Sequence, residues 1–187
     1  ASLDRLLGQT LTQKNGDAYF FLSDEEQEIN RQIKTIEIDE ATIAREVGEY
    51  IFVNINRDEK NFKYSNYYSF PYNRRVDTVN IGGQKGELTI SILTPYADDY
   101  FSPPEALKMK TMDGSIALFR LPEDQTFLDE IKEVLRTEKF ITRKNSINNP
   151  QNIQDIIDAK GKELGGRRER IKSLLETALT EAEVYAF

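Results

Sequence analysis

The chain has 187 residues, a formal net charge of −7 and 39% hydrophobic residues. These values are typical of a globular protein with one sizeable core or two small ones. There is no cysteine and no histidine, which excludes disulfides, thiolate metal sites and every catalytic arrangement that needs a histidine base. No apolar run is long enough to span a bilayer and no signal peptide opens the chain, so we predict no contact with a membrane.

The first 58 residues predict a module built from a hairpin and helices. Residues 2–7 can form the last turns of a helix, and Asn15-Gly16 between two apolar-containing segments is a strong indication of a hairpin. Helix, hairpin and a further helix are typical of the end of a winged-helix module. We therefore predict residues 1–58 as one domain, winged-helix-like in type.

Two helix starts follow the hairpin. Ser23 and Glu26 have the spacing of a capping box, which opens an amphipathic helix. Asp39 can cap a second helix that continues through residues 40–55.

The rest of the chain predicts a mixed α/β segment over residues 59–187. Alternating apolar and polar residues predict a strand over 87–94, and a short apolar run predicts another over 115–122. A helix is expected over 123–140, followed by a helical C-terminus. The fold class predicted for the whole chain is α+β (mixed), with an N-terminal hairpin and helices, a central small β-sheet and a helical C-terminus.

Charge is unevenly distributed along the chain. Residues 1–60 carry 7 basic and 13 acidic side chains, whereas residues 131–175 carry 11 basic and 6 acidic ones. A polyanion would be attracted to the C-terminal third. The alternative, that these charges are solvated helix faces, stays open.

Two glycines precede three arginines in this basic region. If a helix begins after Gly165-Gly166, then Arg167, Arg168 and Arg170 lie in its first turn, where positive charge opposes the helix dipole unless an anion is bound. If one helix runs through the glycines from about Ile153, the arginines lie along a solvated face. The sequence leaves both possibilities open.

An aromatic-rich stretch precedes Arg74 and Arg75. This mixture can stack bases and hold phosphates, or the rings can alternate across a strand and fill a core on one side. Pro71 limits the stretch to an edge strand or a bend. The aromatic residues are Phe62, Tyr64, Tyr67, Tyr68, Phe70 and Tyr72.

The sequence has few motifs that indicate catalysis, nucleotide binding or metal binding. The phosphate-binding pattern G-x-x-x-x-G-K-[ST] is absent. Asp98, Asp99 and Asp113 could gather around magnesium, but solvated loop acids are the simpler interpretation. We predict no catalytic, cofactor-binding or metal-binding residue. The residues predicted to contact an anion, DNA or a partner are Arg167, Arg168, Arg170, Arg74, Arg75, Arg143 and Lys144.

Several segments together resemble one family, the large P-loop ATPase component of bacteriophage-exclusion (BREX) defence systems and its relatives in the phage-growth-limitation system. The segments are GDAYFFLSDEEQEINRQI, FPYNRRVD, LTISILTPYADDYF, ALFRLPEDQTFLDEI and NNPQNIQDIIDAKGKELGGRRERIKSLLETAL. The resemblance implies a very large cytoplasmic bacterial protein whose ATP and magnesium are used in an AAA-type region near its N-terminus, together with a methyltransferase and other partners. This chain, which starts without methionine, is then expected to be a fragment that follows the ATPase core.

The function predicted from this resemblance is that of a non-catalytic segment. It would couple or scaffold the ATP-driven complex through contacts with other phage-defence components and with DNA, and self-association is a further option. The alternative is a nucleic-acid-binding module with a degenerate winged-helix start and a basic C-terminal third. An enzyme that uses Asp98 and Asp99 is the least favoured hypothesis.

Overall fold

The computed structural model describes residues 12–15, 18–63, 65–83 and 85–186, with side chains from Phe21 onward. The predicted helix end at residues 2–7 and the hairpin residue Gly16 lie outside this part. In chain order the elements are β1 (Thr12–Asn15), β2 (Ala18–Phe21), α1 (Asp24–Lys34), α2 (Glu40–Gly48) with a π-helical continuation (Glu49–Ile55), β3 (Asn61–Lys63), β4 (Ser69–Val76), β5 (Val79–Asn80), β6 (Leu88–Leu93), α3 (Pro104–Met109), β7 (Ile116–Arg120), α4 (Thr126–Asn145), α5 (Gln151–Thr180) and β8 (Glu183–Tyr185).

The chain forms two compact units. One consists of Ala1–Ile38 and Glu133–Arg167, and the other of Asp39–Lys132 and Arg168–Phe187. Helices α4 and α5 therefore each contribute residues to both units. The predicted domains 1–58 and 59–187 are a different division of the chain and stay a prediction.

The first unit begins with the predicted hairpin. Strands β1 and β2 pair antiparallel with Asn15 opposite Ala18, which confirms the hairpin. Helix α1 then starts with the predicted capping box: the Glu26 N–H donates to Ser23 Oγ at 3.2 Å, and the Ser23 N–H donates to the Glu26 carboxylate at 2.7 Å. The apolar side chains buried in this unit are Ile29, Ile33, Ile36, Ile38, Val134, Phe140, Ile157 and Leu164.

The second unit is built on a mixed sheet of six strands within the described residues. Its order is β3-β4-β6-β7-β8, and β5 also pairs with β4. Strands β4, β6 and β7 are parallel, whereas β3, β5 and β8 run antiparallel to their neighbours. The α+β fold class is confirmed, and β6 and β7 correspond to the strands predicted over 87–94 and 115–122.

A short loop carries the chain from one side of β4 to the other. The Asn73 side chain secures it, accepting the Lys85 and Gly86 N–H groups at 2.7 and 2.8 Å and donating to the Gly86 carbonyl at 2.6 Å. A Cβ on Gly86 would lie 2.2 Å from the Pro71 carbonyl oxygen. The neighbouring atoms belong to the backbone of β4, which cannot move aside as a flexible side chain could. Only glycine therefore fits at position 86, where the loop crosses the strand.

Helix α2 starts as predicted at Asp39, whose carboxylate accepts the Thr42 N–H at 2.8 Å. The helix continues as the π-helical turn, a rare conformation that widens the helix. Val47 and Phe52 from this stretch are buried. Gly48 leaves room for Ile81, whose side-chain atoms would lie 2.6 Å from an added Cβ.

The sheet has a compact apolar cluster beneath β6, β7 and β8. It consists of Leu93, Tyr100, Leu107, Leu118 and Tyr185. The Tyr100 hydroxyl donates to the Leu121 carbonyl at 2.8 Å, so this buried phenol keeps a hydrogen-bond partner. Among the helices that the structure describes, none combines the length and apolar composition needed to cross a membrane.

Helix α5 runs without a break through Gly165-Gly166. The hypothesis that a helix begins after these glycines is wrong, and with it the proposed anion site at a helix N-terminus. Two interior glycines cost about 2 kcal/mol of helix stability, but each buried Leu or Ile contributes about 1.5–3 kcal/mol. The helix buries Ile157, Leu164, Ile171 and Leu175, which is enough to hold it continuous.

Candidate binding surface

Arg74, one of the predicted contact residues, has an internal role. Its side chain is 7% exposed. One guanidinium nitrogen lies 2.8 Å from the Asp58 carboxylate, and another donates to the Glu59 carbonyl. The guanidinium carbon lies 5.5 and 5.7 Å from the ring centroids of Phe52 and Tyr72. Arg74 thus anchors the loop that follows the π-helical turn.

Arg75 lies on the opposite face of β4. It is half-buried and its Nε donates to Ser91 Oγ at 3.2 Å on the neighbouring strand β6. The structure therefore does not place Arg74 and Arg75 together on one binding surface.

The arginines of α5 differ in exposure and in contacts. Arg167 is buried and Arg168 is exposed, and an Arg170 nitrogen lies 3.9 Å from a Glu130 carboxylate oxygen. On α4, Arg143 is exposed and Lys144 Nζ lies 5.5 Å from the Phe140 ring centroid. A contact role for these residues stays a prediction.

The loop acids considered as magnesium ligands are not gathered. Asp99 forms an ion pair with Lys110. Asp113 accepts hydrogen bonds from the Ser115 N–H at 2.9 Å and hydroxyl at 2.7 Å, which lower its pKa. Within the described ranges, no three acidic side chains lie where they could hold a metal ion.

Ionisable groups in the sheet also serve the fold. The Arg120 guanidinium donates from Nε to Glu183 at 2.9 Å and to the carbonyls of Tyr100 and Ser102 at 3.3 and 3.1 Å. Hydrogen bonds from Tyr185 and then Arg120 lower the pKa of Glu183. These contacts tie the edge strand β8 to β7 rather than prepare a reactive group.

Four exposed aromatic side chains of the second unit lie close together in the chain, on β3, the start of β4 and the loop between them. We call residues 61–71 the aromatic hairpin. Phe62, Tyr67, Tyr68 and Phe70 are 59%, 91%, 62% and 54% exposed. The interpretation that these four rings fill a core is wrong.

The hairpin is anchored at its base while its rings remain outside. Phe62 and Phe70 are directly opposite each other in the β3–β4 pair, so they lie on one face. Tyr72 is buried, with its hydroxyl donating to the Glu59 carbonyl and accepting from Asn56 Nδ2 at 2.8 Å. Tyr64 lies outside the described residues.

Ser65 fixes the loop of the hairpin. Its hydroxyl accepts the Tyr67 N–H at 3.2 Å, and its own N–H donates to the Tyr68 carbonyl at 3.3 Å. Tyr67 and Tyr68, both exposed, therefore project from a turn with internal hydrogen bonds.

A groove of about 660 Å³ lies beside the hairpin. Phe62, Phe70 and Leu88 supply its apolar walls, and Lys85 and Glu87 supply charge. Gly86 and Gly114 expose backbone along it. The hairpin and groove together form the candidate binding surface of this unit.

The sheet that carries this surface corresponds to a known family. A family model described as "BREX ATP-binding protein BrxC 4th domain with six-stranded beta sheet" matches residues 36–187. The match covers most of the chain, and the structure has the six-stranded sheet that the description states.

The chain belongs to the BrxC family.

Membership in the BrxC family confirms the resemblance to the BREX ATPase component. The matched model describes the family's fourth domain, a region outside the ATPase core, in agreement with the absence of a phosphate-binding loop from the sequence. No solved structure matches this BrxC-family chain.

The sequence indicated an aromatic segment followed by Arg74 and Arg75. Arg74 is buried against the Tyr72 ring and Arg75 is half-buried beside Ser91, and a contact role for both stays a prediction. Pro71 predicted an edge strand or a bend, but β4 lies inside the sheet, between β3 and β6. The proline is accommodated because the pairing of β4 with β6 begins only at Tyr72.

Of the exposed lysines, Lys85 lines the groove together with Phe62 and Phe70, whereas Lys63 follows Phe62 in β3 and lies on the other face of the hairpin.

Proposed function

We propose that this BrxC-family domain is a non-catalytic segment that couples or scaffolds the ATP-driven BREX complex by binding partners through the aromatic hairpin. The observation that carries the proposal is the exposure of Phe62, Tyr67, Tyr68 and Phe70 on an anchored hairpin. Each aromatic side chain can bury about 150–250 Å². Four of them could supply a large share of the roughly 800 Å² that one partner contributes to a typical interface.

The arrangement of ionisable groups supports binding over catalysis. Arg74, Asp99, Asp113 and Arg120 hold strands and loops together through the contacts described above. In this proposal the segment holds no cofactor, and ATP and magnesium act elsewhere in a cytoplasmic parent protein. Its partners are other phage-defence components, and the hairpin could also meet a second copy of the chain.

The proposal is tested in the parent protein within a complete BREX system. Tyr67→Ala with Tyr68→Ala is expected to reduce co-purification of the other components and to abolish phage restriction, while the parent's ATP hydrolysis is retained. Phe101→Ala is the matched control, since Phe101 is 72% exposed and lies outside the hairpin.

Full restriction and unchanged co-purification in the double variant would contradict the proposal. Urea unfolding of the 187-residue chain distinguishes a loss of partner binding from a loss of folding. Exposed substitutions should change its free energy of unfolding by no more than about 0.5 kcal/mol.

The second candidate function is nucleic-acid binding. The observation that favours it is the chemistry of the same hairpin, where exposed rings and lysines adjoin. The winged-helix version of this function rests on residues 2–7, which lie outside the described part of the chain.

A further inference from the structure

The aromatic hairpin and its flanks have an unusual composition for an acidic chain. Residues 60–72 contain Lys60 and Lys63, no acidic residue and no aliphatic residue. The remaining side chains are aromatic, Asn, Ser and Pro. This segment therefore presents rings and positive charge in a protein whose net charge is −7.

The fold adds a further lysine to this segment. The Asn73 clamp places the Lys85 backbone against β4, and Lys85 lines the groove together with Phe62 and Phe70. Lys85 and Lys63 are both exposed. Lys60 forms an ion pair with Asp58, with its Nζ 3.1 Å from a carboxylate oxygen.

Two acidic side chains line the groove, Asp113 and Glu87. The Asp113 carboxylate accepts two hydrogen bonds from Ser115, which lower its pKa, so it carries a negative charge at neutral pH. Glu87 is exposed. Both carboxylates repel an anion, so the phosphate contacts are assigned to the lysines and not to the groove as a whole.

The chemistry favours a single-stranded nucleic acid over a protein. Protein interfaces are enriched in aromatic residues and methionine and depleted of lysine, whereas residues 60–72 have lysine and no methionine. A single strand supplies planar bases that stack on aromatic rings and phosphates that attract lysines. Tyr67 and Tyr68, at 91% and 62% exposed, have accessible rings.

We infer that the aromatic hairpin binds single-stranded nucleic acid, with bases stacked on Tyr67, Tyr68, Phe62 and Phe70 and phosphates held by Lys63 and Lys85. This inference rests on the second candidate function proposed for the same surface, nucleic-acid binding, and names its ligand. Recognition through ring faces and phosphates is tolerant of sequence, because every base has a face that can stack.

The inference is tested with a dye-labelled oligothymidylate of about 12 nucleotides, a length within the site sizes of single-strand-binding folds. Fluorescence anisotropy with the 187-residue chain should show binding at low salt that weakens as salt rises. Two phosphate contacts correspond to a slope of about −1.4 in log K against log salt. The chain has nine tyrosines and no tryptophan, so stacking should also quench its tyrosine fluorescence.

Three variants assign the site. Tyr67→Ala with Tyr68→Ala should weaken binding by about tenfold or more, while Tyr67→Phe with Tyr68→Phe retains it, because the ring faces and not the hydroxyls make the contact. Lys63→Ala with Lys85→Ala should bring the salt slope close to zero. Phe101→Ala and Lys108→Ala are matched controls outside the hairpin, and both should bind as wild type does.

Several outcomes would overturn the inference. One is the absence of oligothymidylate binding at low salt, and another is undiminished binding by the Tyr67→Ala/Tyr68→Ala variant. Loss of binding in Arg143→Glu with Lys144→Glu, with the hairpin variants unaffected, would assign binding to α4 instead. If the double tyrosine variant loses phage restriction while the wild-type chain binds no oligonucleotide, the proposed function stands and its partner is a protein.

Discussion

The carboxylate of Asp77, in the turn between β4 and β5, links this turn to Thr94 directly after β6. The backbone has φ of 51°, in the left-handed region. Its two carboxylate oxygens accept the Thr94 N–H at 2.7 Å and the Thr94 hydroxyl at 2.8 Å. Burial raises the pKa of Asp77, while the Thr94 hydrogen bonds act in the opposite direction.

The raised pKa of Asp77 predicts a pH-dependent loss of stability. The folded state holds this proton more tightly than the unfolded state, in which the pKa of Asp77 is that of an ordinary aspartate, near 3.8. The stabilisation that results is therefore complete below that pH and is lost as pH rises through the folded-state pKa. Asp77→Asn, which keeps an acceptor for Thr94 and tolerates a positive φ, should remove this part of the pH dependence.

The measurement is urea unfolding at a series of pH values from about 4 to 7, a range in which buried carboxyl groups titrate. The free energy of unfolding of the variant, relative to that of the wild type, should increase as pH rises. Parallel profiles for the two proteins would show that Asp77 does not titrate in this range. Asp98→Asn, at an exposed acid of the same unit, serves as the control.

Whether the role of a residue could be predicted from the sequence depended on how far away its partner lies in the chain. The Ser23–Glu26 capping box and the Asp39 cap were predictable, because their partners are three residues away. Asp77 and Thr94 are 17 residues apart, and Arg74 and Asp58 are 16 apart. Only the register of the sheet and the path of the loops bring such pairs together.

At the scale of elements, α5 shows burial overriding helix propensity. Gly165 and Gly166 are exposed and have no atom within 4 Å of an added Cβ. They therefore weaken the helix without a packing role among the described residues.

Replacing these glycines with alanine should stabilise the protein. Gly165→Ala and Gly166→Ala are each expected to raise the free energy of unfolding by up to about 1 kcal/mol, because alanine loses less backbone entropy in a helix. Chemical denaturation followed by circular dichroism measures the change.

Gly48→Ala is the matched control in another helix. There the added Cβ would lie 2.6 Å from Ile81, so crowding should cancel the gain in propensity or exceed it. Destabilisation by Gly165→Ala would contradict a continuous α5.

At the scale of the whole molecule, the net charge of a segment differs from the charge that the segment exposes. The excess of basic residues over 131–175 is divided among buried, paired and exposed side chains. Arg167 is buried, whereas Arg143 and Arg168 are exposed. A count of charges along the sequence therefore overstates the positive surface that α4 and α5 present.

A non-catalytic segment should not hydrolyse nucleotides. The 187-residue chain with ATP and magnesium is expected to release phosphate no faster than buffer, since it has no phosphate-binding loop and no histidine base. A phosphate-release assay measures this. Magnesium-dependent turnover that Asp98→Asn abolishes would revive the enzyme hypothesis and contradict the proposed function.

The sequence by itself determined the local elements: the hairpin, the capped helices, the strands around Ile90 and Leu118, and the α+β class. It also carried the family resemblance, because that depends on residue identity along the chain. Only the tertiary structure decided that α5 continues through Gly165-Gly166 and that the aromatic rings stay outside while Arg74 turns inward. The physical reason is that capping and periodicity act between near neighbours, whereas burial and ion pairing depend on segments that meet only after the sheet has formed.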